Sequence, residues 1–377
     1  MNIHVYPSVF RNESRMLRIG NTLEKNGLFN DIVFIAVEEG SLPAEERITS
    51  RQRVVRLGPP KQGIGRIKHL IAWSRQVLRF ARTNRITCIN CHSLLVLPAC
   101  LMIKYRTGAA LIYDTHELES KPASAGKARQ FVYRIIEQML MPFVDVTFVV
   151  NSAIGDWYRH AYPSAPVHEI KNYPSLQQNV EAGIDLRERF RIPQDAMLFL
   201  YQGVLGAGRG IDLMLDAFTS KEMHQDNMKR HVVFMGNGPL EEKILQASKQ
   251  HAFIHHLPAV EPNELLSMTR QADVTVGLIE PISKSYEMSL PNKLLESLAS
   301  GVPMLATDLP EYRRELQEGT FGWLIQPAVP AVVEAVQAIT EEDVAQKKAQ
   351  LRGWWELHHW EQQEAQIVHW YRSYAGV

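Results

Sequence analysis

Cysteine is scarce in this 377-residue chain: only Cys88, Cys91 and Cys100 occur. So odd and sparse a set argues against a disulfide framework and fits a reducing compartment. Cys88 and Cys91 form a C-x-x-C within RITCINCHSLL, but no second pair accompanies them and His92 alone does not complete a zinc shell. They read as packing residues of a buried strand. No window approaches about 20 uninterrupted apolar residues, and the opening MNIHVYPSV is strand-like, without a charged region followed by a long apolar one. Neither a membrane span nor a signal peptide is expected, and a cytoplasmic location follows. No two aspartates stand in D-x-D spacing, which disfavours a design in which carboxylates hold a divalent ion on a nucleotide diphosphate. No catalytic metal and no other cofactor are expected. Tandem repeats and low-complexity segments are also missing.

Acidic residues are missing from one long interval. None lies between Glu46 and Asp114, where thirteen basic residues fall: Arg47, Arg51, Arg53, Arg56, Lys61, Arg66, Lys68, Arg75, Arg79, Arg82, Arg85, Lys104 and Arg106. Residues 1–175 hold 23 Lys and Arg against 14 Asp and Glu, and the zero net charge of the whole is restored by an acidic second half. A charge run is ordinarily a solvated face. The segment IKHLIAWSRQVLRFART, apolar on one side and arginine-rich on the other, also suits an anionic membrane surface or a phosphorylated lipid. No nucleic-acid partner is expected.

The length exceeds what one core usually supports, so two domains are expected. Short β-rich runs alternate with amphipathic helical stretches throughout. NIHVYP, DIVFIAV, RVVRL, ITCIN, AALIYD and VTFVV read as strands in the first half, and MLFLYQGVL, HVVFMGNG, AFIHHL, VTVGLI and VPMLATD in the second. This alternation predicts α/β architecture with two Rossmann-like, doubly wound parallel sheets. Ligands of such sheets bind beyond the carboxyl ends of the strands, so the two domains are expected to face each other across a binding cleft. A Pro-rich, polar texture near residues 163–195 places the boundary, giving domains of 1–175 and 176–355, with 356–377 as a C-terminal helix that could return to the first domain.

Two stretches carry chemistry. In YQGVLGAGRGIDLMLDAF, an apolar strand leads through a glycine-rich turn holding Arg209 into a helix. Glycines let backbone approach a bulky anion, the helix start offers free N–H groups and Arg209 adds forked donors, which together make a diphosphate cradle. The same glycines could instead make only a tight connection. The spacing is neither G-x-G-x-x-G nor a P-loop. In EMSLPNKLLESLASGVPMLATD, a proline opens a helix with Lys293 in its first turn and Glu296 three residues on. A helix start and an ammonium can meet phosphate, while a carboxylate can accept both hydroxyl protons of a ribose.

Taken in order, GVLGAGRGIDLMLDAF, MGNGPLEEKI, ADVTVGLIEP, PNKLLESLASGVPMLATD and HWEQQE resemble the second domain of family 4 GT-B glycosyltransferases. SRMLRIGNTLEKNG, INCHSLLVLPA, LIYDTHELES and IKNYP resemble segments of the first domain. The resemblance implies a retaining transferase of hexosyltransferase type that uses a UDP- or GDP-linked sugar as co-substrate. It also implies a glycan or lipid-linked acceptor, a role in bacterial polysaccharide or lipopolysaccharide synthesis, and a place on the inner face of the cytoplasmic membrane. It puts the phosphate-binding basic residue on Arg209, the ribose-binding glutamate on Glu296 and the active-site histidine on His116. His116, Arg209 and Lys293 are expected to serve catalysis. Gly206, Gly208, Arg209, Ser289, Leu290, Lys293 and Glu296 are expected at the donor, and Arg15, His92 and Glu117 on the acceptor side.

Two positions depart from the family pattern. Met288 stands where a glutamate usually precedes Glu296 by eight residues, and Val204 where an arginine is often found. The rival readings are a nucleotide-sugar epimerase of the same fold and a non-catalytic protein that binds glycan or a membrane surface.

Overall fold

The computed structural model describes every residue except 12, 59–64, 122–125, 177–180 and 225–228; Lys61 of the basic interval lies outside the described residues, as does the side chain of Arg66. The chain forms two compact units, one of residues 1–171 and 363–377, the other of residues 172–362.

The first unit is built on an eight-stranded sheet. In chain order its strands are β1 (Asn2–Val5), β2 (Ile32–Val37), β3 (Glu45–Arg47), β4 (Gln52–Leu57), β5 (Cys88–Cys91), β6 (Ala110–Thr115), β7 (Val146–Val149) and β8 (Val167–Glu169), and across the sheet they run β3-β4-β2-β1-β5-β6-β7-β8. All pair in parallel except the short edge strand β3. Buried on both faces, the central strands read as continuous runs of Ile, Val, Phe and Leu, as parallel sheets require. Cys88 and Cys91 are free and buried within β5, and burial pushes the Cys88 thiol up to about 12. Helix Arg66–Thr83 turns Trp73 and Val77 inward, with Trp73 donating to the Ala36 carbonyl at 2.9 Å.

Helix Glu361–Ala375 supplies residues 363–375 to this unit. Gln363 bonds both the amide and the carbonyl of Lys171, at 2.9 and 2.7 Å, and Tyr371 is fully buried.

The second unit has six parallel strands: β9 (Met197–Gln202), β10 (Arg230–Met235), β11 (Ile254–Leu257), β12 (Val274–Gly277), β13 (Met304–Thr307) and β14 (Gly322–Ile325). Their order is β11-β10-β9-β12-β13-β14. Phe199, Tyr201, Ile211, Phe218 and Phe234 fill one face of this sheet, and Leu198, Leu200 and Val233 the other. Strands β3, β8 and β14 lie outside the runs that the sequence marks as strands. EER and VHE are three residues long and lack an apolar pattern, and GWLI is a four-residue strand following a glycine-rich turn.

Strand order reverses between β1 and β5 in the first unit and between β9 and β12 in the second. Loops leaving the carboxyl ends there diverge and open a crevice. Two glycines hold the second crevice in shape. Gly210 has φ +76, and a Cβ there would lie 2.3 Å from the Leu278 carbonyl oxygen; Gly236, at φ +150, would put one 1.9 Å from that of Gly203. Gly236→Ala is therefore expected to cost about 3 kcal/mol through strain and overpacking, read as a lowered denaturant midpoint at unchanged slope.

Candidate functional site

In the second unit the crevice collects charge of one sign. Arg209 lies half-buried in the turn after β9 and makes no hydrogen bond or ion pair among the described residues. Lys293 stands in the first turn of helix Asn292–Ala299 and is 5% exposed. Its Nζ is buried without a hydrogen-bond partner and sits 3.8 Å from the centre of the Tyr201 ring. Burial, reinforced by the Arg209 charge and opposed by Glu296, lowers its pKa to about 7. An ammonium removed from water and faced by another cation is costly unless an anion joins it.

Glu296 follows one helical turn later. Thr269 donates to the Gln202 side-chain oxygen at 2.7 Å and Gln202 donates to Glu296 at 2.7 Å, which fixes one carboxylate oxygen. Gly208 takes φ +75, where a Cβ would lie 2.6 Å from Ile282 Cδ1, while a Cβ on Gly206 would meet only Val204, at 3.8 Å. Helices Ile211–Phe218 and Asn292–Ala299 both begin without a side-chain cap. Arg209, Lys293, Glu296, Gly206 and Gly208 thus all lie on the turn after β9 or on the helix that begins at Asn292. Ser289 turns its hydroxyl onto the Tyr286 carbonyl at 2.9 Å, and the Leu290 side chain is core. Glu287, next to Met288, is paired with Lys284 at 2.8 Å.

In the first unit His116 follows β6. Asp114, fully buried within that strand, receives Arg15 Nε at 3.0 Å and Nη2 at 2.7 Å, and Arg15 Nη1 donates to the Ile170 carbonyl at 2.6 Å. Burial alone would raise the Asp114 pKa, but the guanidinium and His92 hold it far below the usual carboxylate range. His92 Nδ1 lies 3.0 Å from His116 Nε2 and 3.3 Å from Asp114 Oδ2, and His92 Nε2 lies 2.9 Å from His4 Nδ1. Burial drives His116 down to about 3 and His4 well below the imidazole range, so both are neutral. His92, Asp114 and His116 bring one ligand atom each within 4.8 Å of one another, a set that could hold a metal ion. Their atoms are already engaged: the Arg15 guanidinium lies on Asp114, and the two histidine nitrogens face each other. Of the acceptor-side residues, Arg15 and His92 join this cluster, whereas Glu117 is exposed.

The sequence did not single out His4, Asn90, Asp114, Glu119, Gln202 or Tyr371. Glu119 accepts from Ser93 Oγ at 3.3 Å and the Leu94 amide at 3.2 Å, and burial, helped by nearby Glu117, raises it to about 8. Its signal was an acid three residues after His116, beyond a strand end.

Two doubly wound units in one chain, each with a crevice at its switch point, are the architecture of the GT-B class of folds. Residues 13–173 match the family model described as Glycosyltransferase Family 4, and residues 197–342 the one described as Glycosyl transferases group 1. The chain belongs to the family 4 glycosyltransferases. It is 25% identical over 175 residues to the phosphatidyl-myo-inositol mannosyltransferase of Mycobacterium tuberculosis, covering 45% of this chain and 44% of that protein. It is 31% identical over 134 residues to a protein of Bacillus subtilis named as a teichuronic acid biosynthesis glycosyltransferase, covering 36% and 30%. The match thus spans less than half the length of these relatives. Among solved structures, the sucrose-phosphate synthase of Thermosynechococcus elongatus superposes with TM-score 0.79 at 16% identity, covering 99% of this chain and 98% of that one. Anabaena HepE in complex with UDP and glucose superposes with TM-score 0.72 at 12% identity, covering 98% of each.

Because the folded protein holds Lys293 at about 7 and the unfolded chain at about 10.4, the unfolded state binds more protons between these values. Stability should therefore rise with pH from 7 to 9, by at most about 1.4 kcal/mol per pH unit. In Lys293→Met that rise should vanish, with no loss of stability at pH 7, as denaturant melts at stepped pH would show.

Proposed function

We propose that the chain is a retaining glycosyltransferase that moves a hexose from a UDP- or GDP-linked donor to a glycan or lipid-linked acceptor, in polysaccharide or lipopolysaccharide synthesis. The buried, unpartnered ammonium of Lys293 beside the free guanidinium of Arg209 carries this reading. A diphosphate supplies the missing anion. As the anomeric carbon becomes oxocarbenium-like, the departing diphosphate gains charge, and donors already aimed at it stabilise the transition state most. Glu296, held by Gln202, takes the ribose hydroxyls. The cations replace a divalent ion, so transfer proceeds without metal. The acceptor hydroxyl approaches from the face the diphosphate leaves, and a phosphate oxygen takes its proton.

Calorimetry with UDP, GDP, ADP and CMP at pH 8, in buffers of differing ionisation enthalpy and with and without EDTA, tests the donor site. One nucleotide should bind irrespective of EDTA with uptake of close to one proton, because the anion restores the charge of Lys293. Arg209→Ala and Glu296→Ala should each weaken binding at least tenfold. If no nucleotide binds, the reading fails and a non-catalytic binding protein takes its place.

The acceptor side is proposed to meet an anionic bilayer. Among the described residues no helix is long and apolar enough to cross a membrane. Helix Lys127–Leu140 instead lays out Phe131 at 65% exposure, with Val132, Ile135 and Met139, next to Lys127, Arg129 and Arg134. That is the composition of a helix lying in the headgroup layer. The helix that the sequence favoured for this role, Arg66–Thr83, buries Trp73 and Val77 in the protein, and within the basic interval Arg53, Arg56 and Lys104 pair with Asp31, Glu46 and Asp145. The protein should float with vesicles containing phosphatidylglycerol and not with phosphatidylcholine alone. Phe131→Asp with Met139→Asp should abolish flotation without changing nucleotide binding.

A further inference from the structure

A buried hydrogen-bonded chain crosses the first unit from its C-terminal helix to His116. Tyr371 Oη lies 2.7 Å from Asn90 Oδ1, Asn90 Nδ2 3.2 Å from His4 Nε2, His4 Nδ1 2.9 Å from His92 Nε2, and His92 Nδ1 3.0 Å from His116 Nε2. Such a chain can order its protons in either direction, since each neutral imidazole carries one N–H and one lone pair and an amide can turn over. Its two ends remove the choice.

At one end Asp114, ionised by the bidentate contact of Arg15, is an acceptor only and lies 3.3 Å from His92 Nδ1. A lone pair on that nitrogen would face a carboxylate, so His92 carries its proton on Nδ1 and accepts on Nε2. His4 must then donate through Nδ1 and accept through Nε2, Asn90 must donate through its amide nitrogen, and Asn90 Oδ1 must accept. At the other end the fully buried Tyr371 hydroxyl has Asn90 as its hydrogen-bond partner among the described residues, so its proton points the same way. The His92 N–H is shared between Asp114 Oδ2 and His116 Nε2. His116 therefore keeps a lone pair on Nε2 and its proton on Nδ1, a nitrogen with no hydrogen bond among the described residues on a partly exposed ring.

We propose that Arg15, Asp114, His92, His4, Asn90 and Tyr371 are positioning residues that hold His116 as a neutral imidazole with Nδ1–H presented to substrate. Resting on the function proposed above, this makes His116 a hydrogen-bond donor to a substrate oxygen and not the base that takes the acceptor proton. One ring nitrogen already carries a proton, and the lone pair of the other is spent on His92. A histidine side chain in water prefers the Nε2–H form, so the assignment to Nδ1–H at three linked histidines is distinctive.

The test is long-range proton–nitrogen correlation NMR on the full chain with ¹⁵N-labelled histidine, at pH 7.5. His4, His92 and His116 should all appear as Nδ1–H tautomers. In Tyr371→Phe the Asp114 end still sets the order, so His4, His92 and His116 should all keep Nδ1–H. In Asp114→Asn the side-chain amide can donate to His92 Nδ1, and His116 should shift toward Nε2–H. If Asp114→Asn fails to fold, wild type and Tyr371→Phe decide alone. An Nε2–H tautomer at His92 or His116 in wild type, or at His4 in Tyr371→Phe, overturns the proton order. The role at the substrate is read from UDP release from UDP-glucose: Asp114→Asn, or His92→Gln where that variant does not fold, should lower kcat more than it raises KM. Turnover equal to wild type in the variant overturns that role. Absence of nucleotide binding by wild type would instead sink the proposed function and leave the NMR result standing.

Discussion

A carboxylate cut off from water has to be answered by a fixed positive charge, and in the first unit the answer to Asp114 is Arg15, 99 residues earlier. This pair ties the helix Ser14–Lys25 to the sheet, and through the Ile170 carbonyl it also ties the end of β8 to that helix. Taking away either partner alone leaves the other charge stranded, a loss of about 3–5 kcal/mol in comparable settings. Burial keeps His4 and His116 neutral, and for His116 the Arg15 charge counters the pull of Asp114.

The second unit solves the opposite problem by leaving it open. Lys293 lies close enough to Arg209 to feel its charge, and among the described residues no carboxylate is hydrogen-bonded to the Lys293 ammonium. Tyr201 offers the lysine only the face of its ring, a weak substitute for an anion. Around them the architecture is rigid: glycines at Gly210 and Gly236 press backbone against backbone, and Gln202 is fixed between Thr269 and Glu296. Rigid surroundings stop the cations from relaxing into water, and stability is given up for readiness to bind.

The alternation of β-rich and amphipathic stretches made the two α/β units legible, because fully buried parallel strands read as short β-branched and apolar runs between amphipathic helices. Strands such as EER and VHE escaped notice because pairing with a neighbour, not their own composition, makes them strands. The residues of the proposed donor site stood close together in the sequence for a related reason: Arg209 and its glycines lie within five residues, and Lys293 and Glu296 share one helix. Asp114, His4, Asn90 and Tyr371 gave no such signal. They meet across separations of 86 to 281 residues, and each is an unremarkable residue in its own segment. The basic interval misled in part, since charge counting does not show that Arg53, Arg56 and Lys104 are consumed by internal pairs.

The first unit is interrupted in sequence. Residues 172–362 are made between its eighth strand and the helix that buries Tyr371 against the sheet. The eight strands of the first sheet are therefore made before residues 172–362, and the helix that covers them is made after. Until that helix arrives, Asn90 has no hydroxyl to receive, and the surface that Tyr371 covers stands open to solvent. Synthesis thus delivers Arg209, Lys293 and Glu296 before Tyr371, the residue that closes the histidine chain.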